Sequence, residues 1–141
     1  MYNKNAVYTA VANTLRADAR FNQSDGSACF CTAERNNAPS AFPCAWIVEI
    51  DAYPETRYID LALTADTKRS TFEVQCFSNL ASGATSQTYN MIEAATEAFR
   101  QLGYIRTMSE PMQNTMRPEI KRHIARFSRT FGDDDTLPTI T

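Results

Sequence analysis

The one histidine, His123, and the four cysteines, Cys29, Cys31, Cys44 and Cys76, are the residues best able to do covalent or metal chemistry. The cysteines lack CxxC spacing, and His123 is far from them in sequence, so a zinc site is weakly supported. Free cysteine behaves as a small hydrophobe, and the four thiols read as buried or half-buried, unpaired groups in a reducing compartment. His123 lies among Lys121, Arg122 and Arg126 and shows no orienting partner, which makes it a poor member of a nucleophilic triad.

Other chemistry is equally sparse. Glu49 and Asp51 stand two apart on one face of a strand and mimic a carboxylate pair, yet polar residues at that period are what a solvated strand face displays. The run Asp133-Asp134-Asp135 reads as a solubilising segment and not a cation site. With 4 glycines the chain contains neither GxGxxG nor GxxxxGK[ST], which excludes nucleotide binding by those loops. The expectation is a protein without catalytic residues, cofactor or metal.

Composition agrees with a binding or structural role. The 141 residues suit one domain, with 43% hydrophobic residues and a formal charge of −2 that exerts no global pull on nucleic acid. The N-terminus lacks the continuous apolar core of a signal peptide, and no stretch approaches the roughly 20 apolar residues that span a bilayer, so no membrane partner is expected. One uneven feature is the C-terminal excess of Arg100, Arg106, Arg117, Lys121, Arg122, Arg126 and Arg129 over Glu110 and Glu119. It reads as a solvated face or as a contact for DNA or an acidic subunit, without the interleaved aromatics of a base-stacking platform.

The elements that would position these residues follow from periodicity. Val7, Val11 and Leu15 recur every four residues, which predicts a helix from Asn3 to about Arg20. Asn22 to Ser27 is a turn cluster, Ala28 to Ala33 a short strand, and Glu34 to Ser40 irregular. From Cys44 to Asp51 the alternation predicts a strand with Trp46, Val48 and Ile50 on one face and Ala45, Ile47, Glu49 and Asp51 on the other. One of these faces is core and the other is mixed.

Tyr53-Pro54-Glu55 breaks that strand, Arg57 to Leu63 forms a short extended piece, and Thr64 to Ser70 is a polar loop. Thr71 to Ser78 alternates again, with Phe72, Val74 and Cys76 facing one way and Glu73, Gln75 and Phe77 the other. A helix capped by Ser82 or Thr85 then runs to Leu102, where Gly103 occupies the favoured stop position. Tyr104 to Thr107 is extended and Glu110 to Pro118 a loop. Glu119 to Phe131 matches both periods, with a slight advantage to helix. The fold class is therefore α+β: a small antiparallel or mixed sheet against two helices, in the order α-β-β-β-α-β-β. Residues 1–131 form the domain and 132–141 an acidic tail, mobile in isolation.

Four stretches carry a resemblance: FEVQCFSN at Phe72 to Asn79, the turn Ser82-Gly83, FRQLGYIRTMSEP at Phe99 to Pro111, and EIKRHIARFSRTF at Glu119 to Phe131. With AFPCAWIVEID at Ala41 to Asp51 and the N-terminal helix, they resemble the tail-terminator or tail-completion proteins of long-tailed bacteriophages. The uncharged segment Leu80 to Thr85 departs from relatives that bear a basic turn there. The resemblance implies a ring, typically of six subunits, assembled in the host cytoplasm and located in the virion at the tail neck. Such a ring caps the major tail tube protein and meets the head-completion or connector protein, with DNA near its lumen. It also turns Glu119 to Phe131 into a closing strand. The alternatives are another neck component, such as a head-closure or minor capsid protein, or a small nucleic-acid-binding module.

On that reading the loops Asp51 to Arg57 and Thr64 to Ser70 meet tube or neighbour, with Tyr53, Glu55, Arg57, Tyr58, Asp66, Lys68 and Arg69 as interface residues. Replacing Tyr53 with Asp is expected to impair ring or tail assembly while the monomer stays folded, read by particle yield beside circular dichroism. Normal virions from that variant would count against the assignment.

Overall fold

A computed structural model describes residues 3–34, 41–54, 67–113, 117–132, 137–138 and 140, with the backbone alone for 51–54, 67, 68, 131 and 132. The order is α1 (Lys4–Ala17), a 3-10 turn (Ala19–Phe21), β1 (Phe30–Thr32), β2 (Cys44–Pro54), β3 (Thr67–Ser78), α2 (Ala84–Gln101), β4 (Ile105–Met112) and β5 (Lys121–Gly132). The five strands form one mixed sheet in the order β1-β2-β3-β5-β4. Only the β1–β2 pair is parallel. The predicted α+β class and element order are those of the structure.

Local chemistry sets the helix limits. Asn3 Oδ1 accepts from the backbone N–H of Asn5 (3.0 Å) and of Ala6 (3.3 Å), which caps α1. The helix ends at Ala17, three residues before the predicted Arg20, because Asp18 leaves helical geometry. Its carboxylate accepts from Arg20 N at 3.0 Å and opens a new turn that buries Phe21. Neither Ser82 nor Thr85 caps α2; Gly83 does so at φ +82°, a conformation other residues adopt with strain. At the other end Gly103 (φ +89°) closes a Schellman motif, its N–H donating to Arg100 O and that of Tyr104 to Phe99 O.

α2 buries Ala84, Thr88, Met91, Ile92, Ala95, Ala98 and Phe99, one stripe at helical spacing. That stripe packs on the sheet face formed by Ala45, Ile47, Phe72, Val74, Cys76, Ala125 and Phe127. Four aromatic rings sit at its centre. Phe99 stacks on Phe127 with centroids 4.4 Å apart and planes 11° from parallel, and meets Phe72 at 5.6 Å and Tyr104 at 5.2 Å. Phe72 and Phe127 are cross-strand partners on β3 and β5, so one helical side chain clamps the two central strands.

Several sequence expectations are corrected. β2 continues through Tyr53 and Pro54, and β3 starts at Thr67, so Thr67 to Ser70 is strand and not loop. Pro54 ends its strand, where a missing N–H costs no inner ladder bond. β4 runs through Glu110, Pro111 and Met112, which were assigned to a loop, and Pro111 is tolerated because β4 is an edge strand. Of the two readings open for Glu119 to Phe131, the closing strand of the expected element order is the one found, as β5. Its helix-like spacing arises because both sheet faces carry apolar residues: Phe127 belongs to the helix-packed core, while Ile120 joins a second cluster on the opposite side. The extended piece at 57–63 lies outside the described residues.

Leu137 and Ile140 are half-buried against the main core. Phe99→Ala would leave a hole beneath three rings and is expected to cost about 3–5 kcal/mol, measured by denaturant unfolding. A loss under about 1 kcal/mol would show that the surroundings collapse into the space and that the clamp is not the centre of the core.

Candidate functional site

β3 and β5 expose their second face away from the helices, and the sequence places polar and aromatic residues on it by simple alternation. Trp46, Phe77, Cys44 and Ile120 form a cluster there with Phe42 and Val48 half-buried beside it. Cys44, Trp46 and Val48 of β2 thus serve this outer cluster, while Ala45 and Ile47 go to the helix-packed core. The Trp46 and Phe77 rings are 4.9 Å apart at 50°. The Arg122 guanidinium lies over both, 5.9 Å from the Trp46 centroid and 5.4 Å from that of Phe77.

From Arg122 a polar chain crosses the sheet. Arg122 Nε donates to Gln75 Oε1 (2.9 Å), Gln75 Nε2 donates to Glu73 Oε1 (2.6 Å), and Arg126 Nε donates to Glu73 Oε2 (3.3 Å). Glu73 and Gln75 are 4% and 5% exposed, so both depend on these partners for their desolvated oxygens. One group on this face is left over. Among the described residues, Trp46 Nε1 is the only buried side-chain N or O atom without a hydrogen-bond partner. Nothing in the sequence marked this arrangement beyond the alternation of Glu73, Gln75 and Phe77.

His123 belongs to the opposite, helix-packed face, where Cys76 is its cross-strand partner. Its Nε2 shares a 3.0 Å hydrogen bond with Ser109 Oγ, and the Tyr89 ring stands edge-on 6.2 Å away. This is the partner the sequence did not reveal, since Ser109 lies on the adjacent edge strand. Burial lowers the His123 pKa below its usual value; Glu93 and Glu110 act against this shift and the nearby Arg106 adds to it. A serine beside a neutral histidine is the beginning of a nucleophilic pair, but no described group holds Nδ1 as the orienting member of a triad must.

Glu49 is half-buried and hydrogen-bonded, not a freely solvated carboxylate. The β2–β3 register shifts between Glu49 and Asp51, and Glu49 Oε2 accepts from Ser70 Oγ at 2.9 Å. Tyr104 Oη donates to the same Ser70 oxygen at 3.0 Å, and burial pushes the Tyr104 phenol up to about 12. All four cysteines are free and buried, as the sequence implied. Among the described residues, no group of three or more His, Cys, Asp or Glu side chains is arranged to hold a metal ion. No described helix is long and apolar enough to cross a membrane.

Of the residues expected at an interface, Tyr53, Lys68 and Arg69 lie together at one end of the β2–β3 pair. Tyr53 is directly opposite Arg69 and Pro54 opposite Lys68. Arg69 is half-buried and donates to Ser128 Oγ at 3.0 Å. Glu55, Arg57, Tyr58 and Asp66 lie outside the described residues. The C-terminal basic residues are dispersed over the fold. Arg100 pairs with Glu97, Arg106 with Glu93, and Arg117 with Glu119, while Arg129 donates to Leu102 O at 2.7 Å from the helix-packed side. Arg122 and Arg126 alone of these join the outer-face chain.

No protein-family model matches the chain, and no curated protein sequence matches it.

The His123 shift has a measurable sign. A folded pKa below the unfolded value near 6.5 means that the unfolded chain takes up the proton first. Stability contributed by neutral His123 is therefore complete above about pH 7 and declines as pH falls through 6.5 toward the lowered folded value. Unfolding curves of the wild type and of His123→Gln between pH 7.5 and about 5 are expected to converge in slope except for this extra decline in the wild type. Parallel curves would show that His123 titrates as it does in the unfolded chain.

Proposed function

We propose that this chain is a structural virion protein of a long-tailed bacteriophage, a tail terminator. It forms a closed ring through heterologous contacts, typically of six subunits as the resemblance implies, that caps the tail tube, ends tube polymerisation and joins the tail to the head connector. The observation that carries the reading is where the resembling stretches fall. They occupy β3, the Gly83 turn into α2, the exit of α2 through β4, and β5. These are consecutive parts of one packed unit centred on Phe72, Phe99 and Phe127.

The surface supports an assembly role. β4 is an edge strand whose residues are exposed except for half-buried Met108, and Ile105 is 72% exposed on it. A free edge of this kind offers backbone hydrogen bonds to a neighbour, while Pro111 and the register shift between Arg106 and Met108 limit indiscriminate pairing. On the outer face Trp46 and Phe77 are buried beneath Arg122, so this face offers its arginines to a neighbour and not its rings. The subunit acts by docking, without catalysis, in the virion's tail neck.

The decisive experiment is light scattering of the purified protein alone and mixed with tail tubes, with electron microscopy of the mixture. The expected outcome is a ring, or density confined to tube ends together with arrest of tube growth. A monomer that leaves tubes undecorated and growing would sink the proposal.

A further inference from the structure

We draw no further inference here: the strongest candidate, the exposed edge of β4 at Ile105–Met112, has nothing in the structure to show what covers it, since the register shift sets Arg106 on the helix side with Glu93 and Glu110 on the opposite face, and a second copy's β4 laid antiparallel along it would bring no opposite charges together.

Discussion

The arrangement depends on Phe99. A helix of 18 residues makes few specific contacts with a sheet unless one bulky side chain fixes its rotation and height, and Phe99 does this by entering between Phe72 of β3 and Phe127 of β5. Tyr104, just past the helix, closes the cluster from the side. Tyr104 can take that place only because the chain reverses at Gly103, where a Cβ would stand 3.1 Å from Arg129 Nε. The reversal then directs the chain into β4 at the sheet edge. The Tyr104 hydroxyl, buried by this packing, is satisfied through Ser70, whose hydroxyl in turn reaches Glu49. Packing and polar satisfaction are thus linked across three strands, and a change in the ring cluster would disturb both.

The outer face solves the opposite problem, how to keep charged groups on a sheet surface that is also aromatic. Glu73 is nearly inaccessible while Arg126, its ion-pair partner, is 46% exposed, so the guanidinium keeps part of its hydration as it neutralises the carboxylate. Arg122 spans the two chemistries, with its edge bonded to Gln75 and its plane near the Trp46 and Phe77 rings. The result is a surface with fixed side chains, which lowers the ordering cost of binding a partner.

Sequence pattern revealed elements wherever one face was apolar and the other polar. The α2 stripe, the alternation of β3 and the Gly103 stop were legible because each is a local signal. β5 was ambiguous because Ile120 and Phe127 serve opposite faces, which blends a two-residue period into an apparent helical one. β4 was too short as read, since an edge strand exposes both faces and carries no alternation. The Ser109–His123 bond, the Ser70 relay and the Arg122 to Arg126 chain all join residues from different strands. Such contacts depend on register, which a single sequence does not display.

The same division between local and long-range signals bears on the docking role proposed above. A catalytic centre concentrates its free energy in a few convergent groups, and here the convergent polar groups are largely committed to one another. Glu73 binds Gln75 and Arg126, Ser70 stands between Tyr104 and Glu49, and His123 is hydrogen-bonded to Ser109. What stays available among the described residues is distributed: the β4 edge, the exposed Arg126 of the outer face, and the partly filled groove beside Ile140. Contacts spread in this way are individually weak. In a closed assembly, however, each subunit is held on two sides at once, so the second contact forms at high effective concentration and modest surfaces become sufficient.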